Sequence, residues 1–253
     1  GDSLAGGVGT YIKDMLNVFA GSQLISDSAD ADIRLAGLKR MPSLKSILLF
    51  LKFRRDNDGI YIYHSSAGIM LALFANLLFL SGNNIIVFHG LASRYSGPIV
   101  KWLEFISCRL NKTNVFMNHE DPGYLKAKDF TYIPNYSKRS ISKRCRPRGE
   151  LVTVTRNSPQ KNNSMLLKVV ARINSNVCLY TAEQDTDFFE SKGISNLTVA
   201  SVIAKDEIYN DKSVFILSTF SEGFPLSIIE AACSGLPVLC SDLSVLRGIF
   251  GDH

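Results

Sequence analysis

The sequence has five cysteines, Cys108, Cys145, Cys178, Cys233 and Cys240. The number is odd and no C-x-x-C pair occurs. That excludes a disulfide framework and a cysteine zinc site, and it points to a reducing compartment. No His, Asp or Glu cluster shows metal-ligand spacing, so no essential metal is expected. Long apolar runs are also missing. The most apolar stretch, Ile69 to Leu80, is broken by Asn76. It falls short of the about 20 residues that a spanning helix takes, so a buried helix is expected. The chain opens on Gly-Asp-Ser and not on a basic then apolar stretch, so no signal peptide is expected.

What is present suits a globular chain. Of 253 residues, 46% are hydrophobic and 20% charged. This balance can build a sizeable core and excludes a disordered or collagen-like chain. The length fits one large domain or two modest ones. The net charge is +5, and it is unevenly spread. Residues 1–150 hold 20 Lys and Arg against 12 Asp and Glu, whereas residues 151–253 hold 8 against 11. The asymmetry suggests two units, the first of them meeting something anionic.

Apolar runs alternate with helical patterns. In the first half, strands are expected at Ile60–Tyr63, Asn84–Phe88, Asn114–Met117 and Phe130–Pro134, with helices over Ser66–Leu80 and around Ile99–Leu110. The series restarts with Leu151–Thr155, a helix over Ser164–Ile173, and strands at Asn176–Thr181, Leu197–Ser201, Val214–Ser218 and Val238–Ser241. Strands apolar on both faces and separated by helices predict parallel sheets covered on both sides. The expected domains are residues 1–137, a basic linker at 138–150, and residues 151–253. The linker carries Lys138, Arg139, Lys143, Arg144, Arg146 and Arg148. It reads as a solvated connection. A nucleic-acid patch is the weaker alternative, because only Tyr136 supplies an aromatic nearby.

Four local patterns carry chemistry. Gly6-Gly7-Val8-Gly9-Thr10 runs into an expected helix at Tyr11–Phe19; glycines at a helix start let backbone N–H groups approach a phosphate. His89-Gly90 follows the strand Asn84–Phe88, at the carboxyl end where open α/β sheets place ligands. His64 and His119 follow strands in the same way and compete with His89. Arg156 and Lys161 follow the strand Leu151–Thr155, where two cations can neutralise a diphosphate; an ordinary basic loop would read the same. Finally, Glu222 precedes Gly223, Phe224 and Pro225, and Glu230 lies in the helix expected to start near Pro225. Pro225 suits the first helical position, Gly235 the C-cap, and Pro237 opens the next strand.

The stretch EGFPLSIIEAACSGLPVLCSD resembles the E-x7-E signature of the retaining glycosyltransferases of family 4 (glycosyl transferases group 1), of the bacterial surface polysaccharide type. GGVGTYI resembles that family's glycine-rich loop, FHG its histidine motif, YIPN (Tyr132–Asn135) its I-P-N segment, and Arg156 with Lys161 its diphosphate-binding pair. The order is the same, and the resemblance covers nearly the whole chain. It implies an α/β chain of GT-B fold, with two Rossmann-like parallel-sheet domains facing a central cleft. The family pattern has a strand before the glycine-rich loop and helices after the last strand, so the chain is expected to be a short or incomplete member.

The resemblance also implies roles. His89 and Glu222 would be catalytic, meeting the donor sugar. Gly7, Arg156, Lys161, Gly223 and Phe224 would bind the donor diphosphate, and Glu230 the ribose. By position, Val202 and Ile208 would lie against the base. The donor would be a UDP-, GDP- or ADP-sugar, with no cofactor and with Arg156 and Lys161 replacing a metal. The acceptor would be a lipid-linked saccharide or a polysaccharide in capsule, O-antigen or exopolysaccharide synthesis. The protein would lie in the cytoplasm, peripherally on the inner face of the plasma membrane. Lys52, Arg54 and Arg55 are the expected membrane contact. The alternative is a non-catalytic or truncated relative that acts as a membrane-bound scaffold. The chain departs from the family at Thr155 and Asn162, where glycine is usual, and at Ala182-Glu183-Gln184-Asp185, where a glycine-rich turn is usual.

Overall fold

The computed structural model describes residues 6–26, 31–34, 42–78, 83–136, 149–201 and 207–251. The chain divides into two compact units, Gly1–Asn135 and Tyr136–His253. The basic residues 138–148 and Val202 lie outside the described residues.

The first unit runs α1 (Gly6–Val18), β1 (Ile25–Ser26), β2 (Ile33–Arg34), α2 (Leu44–Asp56), β3 (Tyr61–His64), α3 (Ser65–Leu77), β4 (Asn84–Phe88), α4 (Ser93–Ser96), α5 (Pro98–Leu110), β5 (Thr113–Phe116), α6 (Asp121–Tyr124) and β6 (Thr131–Tyr132). Strands β3 to β6 form an all-parallel sheet in chain order, and β1 and β2 pair separately. Strand β4 is apolar on both faces because both are covered. Phe88 and Phe116 stack with centroids 4.5 Å apart, and Phe50, Tyr63, Ala72 and Ala75 share their core.

Helix α3 is the expected buried helix. Asn76, which interrupts its apolar run, is buried and bonded: it accepts from Asn84 Nδ2 at 2.9 Å and donates to Asn111 Oδ1 at 3.2 Å. Both buried amides therefore keep partners in place of the water they lose. Close packing is possible at Gly68, where a Cβ would stand 3.3 Å from the Tyr63 carbonyl carbon.

Two expectations need correction here. Helix α1 already begins at Gly6, so the glycines form its first turn and not a loop in front of it. The expected membrane contact of Lys52, Arg54 and Arg55 also breaks up. Arg54 lies on the buried face of α2 with Ile47, Phe50 and Leu51. Its guanidinium carbon sits 4.1 Å from the centre of the Tyr61 ring, a cation–π contact.

The second unit runs β7 (Leu151–Val154), α7 (Asn163–Val170), β8 (Val177–Thr181), α8 (Thr186–Glu190), β9 (Leu197–Ser201), β10 (Phe215–Leu217), α9 (Leu226–Cys233), β11 (Val238–Cys240) and α10 (Ser244–Phe250). Its all-parallel sheet has the order β11-β10-β7-β8-β9. Phe215 and Leu217 enter one core, with Val152, Ile228 and Ala231. Ile216 enters the other, with Leu166, Val170 and Leu179. This alternation shows a sheet packed on both sides. The chain adds β8 and β9 on one side of β7, then β10 and β11 on the other, so the winding reverses between β7 and β10. At such a switch point the two flanking connections leave on opposite faces and open a crevice at the strands' carboxyl ends.

Helix α9 starts one residue later than expected. Pro225 is its N-cap, with φ −75° and ψ 106°, and the first helical residue is Leu226. The C-terminal end follows the expectation. Gly235 has φ +78°; its N–H donates to Ala232 O and that of Leu236 to Ala231 O, which is the Schellman pattern. Helices α2 and α10 and the short strands β1 and β2 add to the elements expected from sequence. No helix among the described residues is long and apolar enough to cross a membrane.

Candidate functional site

The residues after β7 and after β10 meet at the switch point. Thr155 ends β7 buried, and its Oγ1 bonds Asn163 Oδ1 at 3.1 Å, while Asn163 Nδ2 donates to Arg156 O at 2.9 Å. Here the threonine hydroxyl pins the loop that a glycine usually shapes. Asn162 holds φ 43° and ψ 44°, the left-handed conformation that glycine adopts freely and asparagine tolerates. Both departures from the family pattern thus have a local physical reason. The third is similar: Glu183–Asp185 form a single 3₁₀ turn, and Asp185 accepts the Asn157 N–H at 2.8 Å.

Gln160 ties the two loops together. Its Nε2 donates to Ser221 O at 2.6 Å, and its carbonyl accepts from Phe220 N at 2.8 Å and from Thr219 Oγ1 at 3.0 Å. Lys161 thereby stands beside Glu222, with Nζ to Oε1 2.6 Å; their side chains are 15% and 7% exposed. Arg156 is exposed, with Nη2 3.2 Å from Gln160 Oε1. Two cations and one carboxylate therefore border the crevice, and Gly223 and Phe224 lead from Glu222 into α9. The first N–H groups of α9 have no cap from Pro225, and such a helix start favours anions.

Glu230 lies one turn into α9. The Tyr209 hydroxyl donates to its Oε2 at 2.9 Å and lies 3.3 Å from Ser227 O. The bond from Tyr209 holds the carboxylate in place, and a carboxylate offers about four acceptor sites in all. Ile208 is 3% exposed and packs with Val152 and Phe215 in the core. Its side chain offers a base no surface, contrary to the sequence expectation.

The first unit brings a second group together. His89 follows β4 and His64 ends the neighbouring parallel strand β3, whose register pairs His64 with Val87. His64 Nδ1 and His89 Nε2 are 2.9 Å apart. Tyr11 of α1 packs against both rings, 5.0 Å from the centre of His89 and 5.7 Å from that of His64. Gly7 is one helical turn before Tyr11, hence on the same face of α1. Burial lowers the His64 pKa to about 4; burial and then the neighbouring His64 lower that of His89 to about 3. Both rings are therefore neutral at pH 7. His119, the third candidate, is exposed and lies 3.9 Å from the Tyr132 ring centre, away from this pair.

Sequence reasoning placed Tyr209 near the base and not beside Glu230, and it missed Tyr11 and Gln160 as site residues. Tyr209 precedes Glu230 by 21 residues, and no local spacing marks the pair. The one usable signal was for His64, which stands at the carboxyl end of its strand, as His89 follows the end of the next one. Among the described residues, no group of three or more His, Cys, Asp or Glu is placed to hold a metal ion.

The sequence model of the family described as Glycosyl transferases group 1 matches residues 148–252. No curated protein matches the sequence significantly. Sucrose-phosphate synthase from Thermosynechococcus elongatus is similar in structure at 18% identity, with a TM-score of 0.74 over 96% of this chain and 78% of that one. Anabaena HepE, in complex with UDP and glucose, is similar at 11% identity, with a TM-score of 0.66 over 98% of this chain and 80% of that one. The pneumococcal O-GlcNAc transferase GtfA, in complex with UDP and GlcNAc, is similar at 16% identity, with a TM-score of 0.61 over 82% of this chain. There the match takes in 47% of the relative, so this chain spans about half of its length. At these identities the likeness shows the fold. The chain has the GT-B fold of two parallel-sheet α/β units, and its residues 148–252 match the Glycosyl transferases group 1 family.

Proposed function

We propose that the protein is a retaining, metal-independent glycosyltransferase that moves a sugar from a nucleotide-diphosphate sugar to a lipid-linked or polysaccharide acceptor in bacterial surface polysaccharide synthesis. The observation that carries this reading is the cluster at the switch point of the second sheet. There Arg156, Lys161 and Glu222 meet through the Gln160 clamp, with Glu230 and the start of α9 close in sequence behind them. Arg156 and Lys161 take the diphosphate and offset the charge that develops as it leaves, which is the role of a metal elsewhere. Glu230, held by Tyr209, accepts from the ribose hydroxyls. Glu222 exchanges its bond with Lys161 for one with the donor sugar as the ammonium turns to phosphate. Backbone N–H groups at Gly223 and Phe224 assist. The first unit contributes Gly7 at the start of α1, and His89 as a neutral imidazole that hydrogen-bonds the sugar without adding charge.

The donor-bound relatives support a nucleotide donor, since HepE and GtfA are described with UDP. For the membrane, α2 offers a better surface than the basic run alone. Its outer face carries Leu44, Leu48 and Leu49, which are 71%, 58% and 44% exposed, together with the exposed Lys45, Lys52 and Arg55. Apolar side chains flanked by cations suit an anionic bilayer surface, and this supports a peripheral position on the inner face of the plasma membrane.

The test is a thermal-shift panel of UDP, GDP and ADP with a chelator present. One diphosphate raises the melting temperature of the wild type, and Arg156→Ala or Glu230→Ala removes the rise. A flat response to all three nucleotides overturns the reading.

A further inference from the structure

His64 has been assigned no part in the site, yet it makes the one hydrogen bond between ring nitrogens found at His89. The arrangement is specific. Strands β3 and β4 are hydrogen-bonded neighbours, so His64 and His89 emerge side by side at the carboxyl edge of the sheet. The chain then turns at once from β3 into α3, and Ser65 takes φ +67° to do so. A left-handed serine costs about 1–2 kcal/mol, a strain accepted where the turn aims the preceding side chain. Tyr11 packs edge-on against His89 and tilted against His64. The rings that meet here are the two imidazoles and the Tyr11 phenol.

The bond has a chemical consequence whichever ring donates. If His64 Nδ1–H donates, His89 carries its proton on Nδ1. If His89 Nε2–H donates, Nδ1 of His89 is an acceptor. In both cases Nε2 is occupied, and the tautomer of His89 is fixed by the state of His64. We propose that His64 is the positioning residue of His89: it engages Nε2, holds the ring plane and selects the tautomer, so that His89 presents Nδ1 alone to the donor sugar. The inference rests on the role given to His89 above. It adds that the reacting centre is specified by a pair of neutral histidines and not by a single one.

The protein labelled with 15N tests this without any donor. It has four histidines, so the imidazole signals can be assigned by single substitutions. The expected result at pH 7 is a single neutral tautomer for His89, and a scalar coupling between its Nε2 and His64 Nδ1 across the hydrogen bond. His64→Asn keeps a polar group near the Nδ1 position and retains the single tautomer. His64→Phe keeps the ring volume without a nitrogen, and the two His89 nitrogens move toward averaged shifts. Averaged shifts in the wild type, or no cross-bond coupling, overturn the proposal even if His64→Phe does not fold. A tautomer unchanged in folded His64→Phe overturns it too. Because nucleotide is absent from these spectra, failure here is distinct from failure of the diphosphate to bind at Arg156.

Discussion

Asn162 shows how one residue shapes the donor loop. It holds the left-handed conformation between Lys161 and α7, and its carbonyl accepts from Ser218 Oγ at 3.1 Å. Asn162→Gly should leave the urea midpoint nearly unchanged, whereas Asn162→Val, which strains the same backbone, should cost about 1–2 kcal/mol. Tyr209 gives a second prediction. Tyr209→Phe removes one hydrogen bond to Glu230 and keeps the ring in the core. On the proposed function, nucleotide diphosphate affinity should fall by a factor of about 3–10, the worth of about one hydrogen bond; unchanged affinity would show that Glu230 needs no such support. The histidine pair gives a third. An unfolded imidazole titrates near pH 6.5, while those of His64 and His89 are lowered to about 4 and about 3. Below about pH 6.5 the unfolded chain binds protons that the folded one refuses. Stability should therefore fall as pH drops from about 6.5 toward 4, and be insensitive to this pair above that range. Denaturant midpoints across pH, compared between the wild type and His64→Phe/His89→Phe, check the sign: the double variant loses this part of the slope. At this scale the sequence singled out Arg156, Lys161, Glu222 and Glu230 as candidates, because their spacing within short segments carries the pattern. The bonds Tyr209–Glu230 and His64–His89 join residues 21 and 25 positions apart, and only the sheet registers bring them together.

At the scale of elements, the strands were legible because parallel strands buried on both faces stand out as unbroken apolar runs. Asn84–Phe88 and Leu197–Ser201 have the boundaries read from sequence. Helix α2 was not legible. Its leucines lie on both faces, Leu51 buried while Leu44, Leu48 and Leu49 are exposed, so the apolar period is blurred. The same blurring makes its outer face unusual. On the membrane reading, Leu48→Glu or Lys52→Glu should weaken binding to phosphatidylglycerol vesicles in a flotation assay without altering the melting temperature. Arg54→Ala should instead lower the melting temperature, because Arg54 packs on Tyr61. Vesicle binding that survives both outer-face changes would remove α2 as the contact. The turn after α9 is more rigidly specified. Gly235 has φ +78°, so Gly235→Ala should cost about 1 kcal/mol, read as a lower denaturant midpoint.

At the scale of the whole molecule, the uneven charge of the sequence gains a physical setting. The excess of cations in residues 1–150 includes those on the open face of α2. Residues 151–253 are mildly acidic, yet they place two of their eight cations at the reversal of the sheet. The strands of the two larger sheets were legible from the alternation of apolar runs; their order was not. The reversal between β7 and β10 depends on which side of β7 each later strand joins, and no local pattern states that. This order makes the crevice, and the central claim is that a nucleotide diphosphate binds there. Calorimetric titration of UDP, GDP and ADP into the wild type and into Arg156→Ala, with chelator present, tests it most directly. At least one nucleotide should bind the wild type, and this binding should be lost in Arg156→Ala. Equal binding by both proteins, or by neither, would contradict it.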